Sequence, residues 1–281
     1  MKNIILFLAI FLSLTIQAQE DHQPIHVKVT GEGAPVMLIP GFAVPGDSWD
    51  TTVNQLEKKY ECHVVTIAGF GGKEPISFPW LPKVNKALED YINEQKLENL
   101  TIIGHSLGGT IATWLASKEN NKLSKIILVD ALPAAGAIMI PNFNPEHLVY
   151  DSPFNKQLLA MNEADFEKIA AGISQSMSLN QVSQQKIKNW MIKADRKTYA
   201  YGYTDYLKLD VRNYLKKITI PVTILAADKP FGKEMVTQTY KNQYANLSQY
   251  DLIIADNAAH FIMFDQPNWF IEQVQHILLA N

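Results

Sequence analysis

Short, unbroken apolar runs alternate with amphipathic stretches along most of this chain, and that alternation leaves few folds open. Residues 36–39, 62–67, 100–104, 126–130 and 222–226 are apolar at nearly every position rather than at every second one. Strands of that kind are covered on both faces, which is the condition of a parallel sheet. Residues 25–30 alternate and predict a strand with one solvated face, and 252–254 supply a further short apolar strand. Helical spacing fills the intervals: residues 84–95 place Val84, Leu88, Tyr91 and Ile92 on one face, and further helices are expected over 50–58, 107–118, 233–244 and 268–279. The fold class is therefore α/β, a mostly parallel sheet with helices on both faces. From 133 to 217 the strands lapse into a helical block rich in methionine and tyrosine. That block reads as a helical cap insertion over the carboxyl edge of the sheet, where open α/β sheets bind ligands. The organisation expected is residues 19–132 and 218–281 as a core domain, with 133–217 as the cap.

Residues 1–18 stand apart from both. Lys2 gives a positive start, an apolar stretch runs through residues 4–16, and Gln17-Ala18 offers a small residue for cleavage. The segment predicts a secretory signal peptide, followed by no stop-transfer pattern and leaving no membrane span after cleavage. The mature protein is expected in the periplasm or outside the cell. A net charge of -3 without a basic stripe argues against a nucleic-acid partner. Cys62 is the single cysteine, so no intrachain disulfide forms, and its place at the head of an apolar strand predicts a buried structural thiol.

Chemistry concentrates at Gly104-His105-Ser106-Leu107-Gly108, between the run 100–104 and a small-residue helical pattern. A serine on a strand–turn–helix junction has its hydroxyl presented at the end of a sheet, before a helix N-terminus whose N–H groups suit a developing anion. A serine hydroxyl needs a base. Of the seven histidines, His260 follows the 252–254 strand in a loop at the same sheet edge as Ser106. A carboxylate should orient that histidine. Asp228, directly beyond the 222–226 strand, is the first candidate, and Asp130, at the end of the strand after the elbow helix, is its competitor. For the oxyanion, the backbone N–H of Leu107 and that of Phe42, in the loop Pro40-Gly41-Phe42, are the expected donors.

These segments resemble the α/β-hydrolase superfamily in its cap-bearing bacterial form with a serine nucleophile. The resemblance spans about residues 25–279. It rests on Pro40-Gly41-Phe42 with Ser48-Trp49-Asp50, Gly69-Phe70-Gly71, the elbow with Gly109, Leu128-Val129-Asp130, Asp210-Val211-Arg212, and His260-Phe261 with Asp265-Gln266-Pro267. The chain departs from the family pattern at Pro40, where a histidine is usual, at Thr66-Ile67-Ala68, and in the early position of Asp228 after its strand. Serine at the elbow sets it apart from relatives that open epoxides or displace halides with an aspartate. Leu107 sets it apart from the proline iminopeptidase-like group.

The resemblance implies acyl transfer to water, with Ser106, Asp228 and His260 as catalytic residues, a small-molecule carboxylic ester or thioester as substrate, and no cofactor. Two other readings stay open: C–C bond hydrolysis on the same residues, and a ligand-binding protein of this fold with little turnover. No cluster has metal-ligand spacing and no lysine-bearing phosphate loop occurs, so no metal or nucleotide is expected. In the insertion, Tyr199, Tyr201, Tyr203, Tyr206, Met139, Met161, Met177 and Met191 either pack the cap on the core or line an apolar acyl pocket.

Overall fold

The computed structural model describes residues 22–118 and 122–280; the expected signal peptide lies outside them. Seven strands form one sheet in the order β1-β3-β2-β4-β5-β6-β7. They are β1 (Ile25–Thr30), β2 (Ala34–Ile39), β3 (Tyr60–Ile67), β4 (Leu100–His105), β5 (Leu123–Val129), β6 (Val222–Ala227) and β7 (Asp251–Ala255). Only β1 runs against its neighbour, pairing antiparallel with β3 at the sheet margin. The remaining pairs are parallel, as the continuous apolar runs require; β4 and β6 are buried at every position.

The helices are α1 (Asp50–Leu56), α2 (Trp80–Glu94), α3 (Leu107–Ala116), α4 (Gly136–Met139), α5 (Pro153–Ala160), α6 (Glu163–Met177), α7 (Gln181–Lys193), α8 (Tyr203–Lys208), α9 (Lys233–Gln243), α10 (Ile262–Asp265) and α11 (Pro267–Leu279). Elements α4 to α8, with a π-turn at Thr198–Gly202, occupy the interval between β5 and β6 where the strand pattern lapses. Side-chain caps start α5, α6 and α7: Ser152, Asn162 and Asn180 each accept an N–H of the first turn. Among the described residues no helix is long and apolar enough to cross a membrane.

One boundary differs from the periodicity. Helix α2 begins at Trp80 rather than at residue 84. The carboxylate of Asp205, on α8, accepts the N–H groups of Trp80 at 2.7 Å and Leu81 at 3.1 Å. The cap that starts this helix comes from far along the chain, so no local signal marks it.

Register brings the strand ends to one edge. Ile39 pairs with Gly104, His105 with Val129, Val129 with Leu225, and Ala227 with Ala255. The residues that follow these strands, Phe42, Ser106, Asp130, Asp228 and His260, are thereby gathered along the carboxyl rim. The core beneath is continuous, and Trp49, Trp80, Tyr244 and Phe270 are among its largest fully buried side chains.

Candidate active site

Ser106 closes β4 and opens α3 with φ 53° and ψ -120°, a left-handed conformation strained for a residue with a side chain. Neighbouring backbone holds it there. Its N–H donates to the Val129 carbonyl at 2.9 Å, and its carbonyl accepts from Gly109 at 2.9 Å and Thr110 at 3.1 Å. The turn closes because its flanks lack side chains: a Cβ on Gly104 would lie 2.4 Å from the Gly108 carbonyl oxygen, and one on Gly108 would lie 2.2 Å from that of Ile39. Leu107 heads α3, buried directly after Ser106, and Phe42 lies on the wall of the same cavity as Ser106.

His260 reaches the rim on the loop between β7 and α10, and its Nδ1 donates to Asp130 Oδ2 at 2.7 Å. Because a carboxylate cannot donate, the proton sits on Nδ1 and Nε2 is left as the acceptor nitrogen. Asp130, with φ 44°, follows the last residue of β5. Its other oxygen, Oδ1, accepts the Ala227 N–H at 3.0 Å and the Tyr240 hydroxyl at 2.9 Å. Burial pushes this carboxyl up, but the bonds from His260, Ala227 and Tyr240 outweigh it and hold Asp130 below the ordinary aspartate range.

The expected pairing of Asp228 with His260 is corrected by this geometry. Asp228 does follow β6, but its Oδ1 accepts the Ala258 N–H at 3.1 Å and its Oδ2 the Lys229 ammonium at 2.8 Å. The loop from β7 passes over the end of β6, so Asp228 meets the loop's backbone while the imidazole reaches on to Asp130, one strand further. Asp228 ties down the segment that carries His260, and Asp130 contacts the ring.

Beneath them lies His105, fully buried, its Nε2 donating to the His260 carbonyl at 3.0 Å and its ring centroid 4.6 Å from that of His260. Its Nδ1 has no partner among the described residues. Burial, then the charge of His260, lowers the His105 pKa from 6.5 to about 3. Across that interval the unfolded chain binds a proton that the folded protein refuses, so stability falls as the pH drops, by about 2 kcal/mol by about pH 5. Asp130 does not contribute there: a carboxylate held below its ordinary value loses its stabilisation only at lower pH. Denaturant unfolding at about pH 7.5 and pH 5 should show that loss in the wild type and a much shallower one in His105→Gln. Equal losses in both would remove His105 as the source.

The cavity above these residues measures about 620 Å³. Met139, Met161, Met177 and Met191 line it, as do Tyr199, Tyr203 and Tyr206, whereas Tyr201 stacks on Tyr150 at 4.9 Å away from it. The insertion's soft side chains thus both pack the cap and form the pocket, and no Lys or Arg stands among the lining residues. Two hydroxyl contacts were not foreseen. Tyr206 brings its hydroxyl to Ser106 and Thr110 from α8, and Tyr240 reaches Asp130 from α9. In the sequence Tyr206 reads as a packing or pocket residue and Tyr240 as part of a helical pattern, and only tertiary structure reveals what their hydroxyls meet. Among the described residues, no group of three His, Cys, Asp or Glu side chains could hold a metal ion.

A mostly parallel sheet with a strained serine beyond one central strand and a His–Asp pair that bridges the ends of β7 and β5 defines an α/β protein of the nucleophile-elbow kind. The model of the alpha/beta hydrolase fold matches residues 34–267, and the chain belongs to that family. It is 23% identical over 265 residues to a pimeloyl-[acyl-carrier protein] methyl ester esterase of Aeromonas hydrophila, covering 90% of this chain and 99% of that protein. The protein of the same name from Vibrio cholerae is 25% identical over 255 residues, 88% of this chain and 95% of its own. Among solved structures, an esterase from Exiguobacterium antarcticum superposes with a TM-score of 0.76 at 19% identity, over 92% of this chain and 98% of that one.

Proposed function

We propose that the protein is an exported serine hydrolase that cleaves a carboxylic ester or thioester carrying an apolar acyl group, through an acyl-enzyme on Ser106. The observation that carries this reading is the 2.7 Å bond between His260 and Asp130 on the wall of the cavity that also holds Ser106. In this mechanism Ser106 Oγ attacks the ester carbonyl carbon while His260 Nε2 takes its proton, and Asp130 stabilises the imidazolium that forms. The N–H groups of Leu107 and Phe42 receive the oxyanion. The leaving alcohol or thiol departs with the proton from His260, and water, deprotonated by the same nitrogen, then releases the acid. A pocket without Lys or Arg, lined largely by methionine, isoleucine and aromatic side chains, suits an acyl chain rather than an anionic substituent. The ester-cleaving relatives support the reaction class.

Against a binder without turnover speaks the Asp130–His260 bond, since a pure binder has no need of an imidazole oriented by a carboxylate. Export rests on the sequence of residues 1–18. A fluorophosphonate probe applied to the extracytoplasmic fraction of producing cells tests both parts. Ser106 should be labelled there, and Ser106→Ala should not. Folded protein that stays unlabelled overturns the nucleophile, and label confined to the cytoplasm overturns the export.

A further inference from the structure

The carboxylate that meets His260 is itself held from outside the expected machinery. Tyr240 lies on α9 and is buried at 5% exposure. Its hydroxyl donates to Asp130 Oδ1 at 2.9 Å, on the oxygen that also accepts the Ala227 N–H and opposite the one that serves His260. One turn further along the chain Tyr244 stacks on Tyr240, with centroids 6.1 Å apart and planes 3° from parallel, and donates to the Ala131 carbonyl at 2.9 Å. The pair therefore grips both the side chain of Asp130 and the backbone just after it. A carboxylate on a single bond can turn about its axis. Donors from β6 and α9 on one oxygen remove that freedom and leave the other aimed at the imidazole.

We propose that Tyr240 is a positioning residue of the proposed hydrolase, holding Asp130 so that Oδ2 faces His260. The inference rests on the reading of Ser106, His260 and Asp130 as the reacting set. The charged and titratable groups around Tyr240 are Asp130 just after β5, Tyr206 from α8 and Tyr244 at the end of its own helix, with His260 and His105 one contact further. Removal of the phenolic hydroxyl leaves Oδ1 with one donor. Negative charge then concentrates on Oδ2, which favours the protonated imidazole. A base that holds its proton more tightly is free for work only at higher pH.

Tyr240→Phe deletes one oxygen and keeps the ring and its stacking. The variant should lower kcat on a short soluble nitrophenyl ester by about tenfold with KM unchanged, and should move the acid limb of the pH–rate profile upward by about half a unit. Tyr244→Phe, which loses a bond to a main-chain carbonyl and none to the carboxylate, should leave that limb in place. A second readout needs no substrate: the His260 ring titration, followed by NMR, should shift upward in Tyr240→Phe and stay fixed in Tyr244→Phe. Wild-type kinetics and an unmoved titration in folded Tyr240→Phe overturn the role. If the wild type labels with no fluorophosphonate and turns over no ester, the hydrolase reading fails by itself, and the NMR titration still decides whether Tyr240 governs the His260–Asp130 pair.

Discussion

Asp130→Asn is expected to lower ester turnover about 10³–10⁴-fold, while Asp228→Asn stays within about tenfold of the wild type. The two carboxylates end adjacent strands and differ in what they touch. Asp130 receives the His260 Nδ1 proton at 2.7 Å. An amide there can present its NH₂ to the ring, which reverses the tautomer and puts the proton on the nitrogen that should accept one from Ser106. Asp228 instead accepts a backbone N–H from Ala258 and pairs with Lys229. Asparagine keeps an acceptor for the N–H and loses a partly exposed ion pair, a small change. Steady-state kinetics with one soluble ester decide the matter, and the opposite ranking would return the acid's role to Asp228.

Gly108→Ala is the second large effect expected, and it strikes the fold of the site rather than its protons. The new methyl would stand 2.2 Å from the Ile39 carbonyl oxygen and 2.7 Å from that of Pro40. Both are backbone atoms of β2 and the turn after it, the segment that presents Phe42. Ile39 is locked by its pairing with Gly104 in the middle of the sheet, so relief requires α3 to lift from β2 and carry Ser106 with it. A loss of about 3 kcal/mol or more is expected in denaturant unfolding, with fluorophosphonate labelling lost in whatever protein remains folded. Gly172→Ala is the control: it sits on α6, where an added Cβ meets nothing within 4 Å, and should be neutral or slightly stabilising. Equal stability of the two variants would mean that the elbow is more yielding than its geometry implies.

The parallel sheet, the elbow and the His260 loop were legible because each is encoded locally. Buried parallel strands need apolar residues at nearly every position, and β4 and β6 have them; a serine between glycines at a strand–helix junction has few alternatives. The acid was not decided in this way. Both Asp130 and Asp228 stand directly after a strand, and the sequence carries no information on how far the loop from β7 leans across the rim. That lean follows from where the backbone of residues 257–260 finds its hydrogen bonds, and Asp228 itself supplies one of them. The start of α2 was hidden for a similar reason, since its cap, Asp205, stands 125 positions from Trp80. The hydroxyl contacts of Tyr206 and Tyr240 were hidden in the same way, because a hydroxyl on an otherwise core-like ring leaves the helical pattern unchanged.

Cys62 gives the protein an unplanned convenience. It is fully buried within β3, where burial, with some help from Glu57, pushes its thiol up to about 11. Thiol reagents are attacked by the thiolate, so at neutral pH the buried Cys62 of the folded chain is silent toward them. A cysteine installed at an exposed cavity-wall position such as Phe154 on α5 therefore carries any maleimide dye alone. Any movement of the cap over Ser106 can then be followed optically without first replacing the native cysteine.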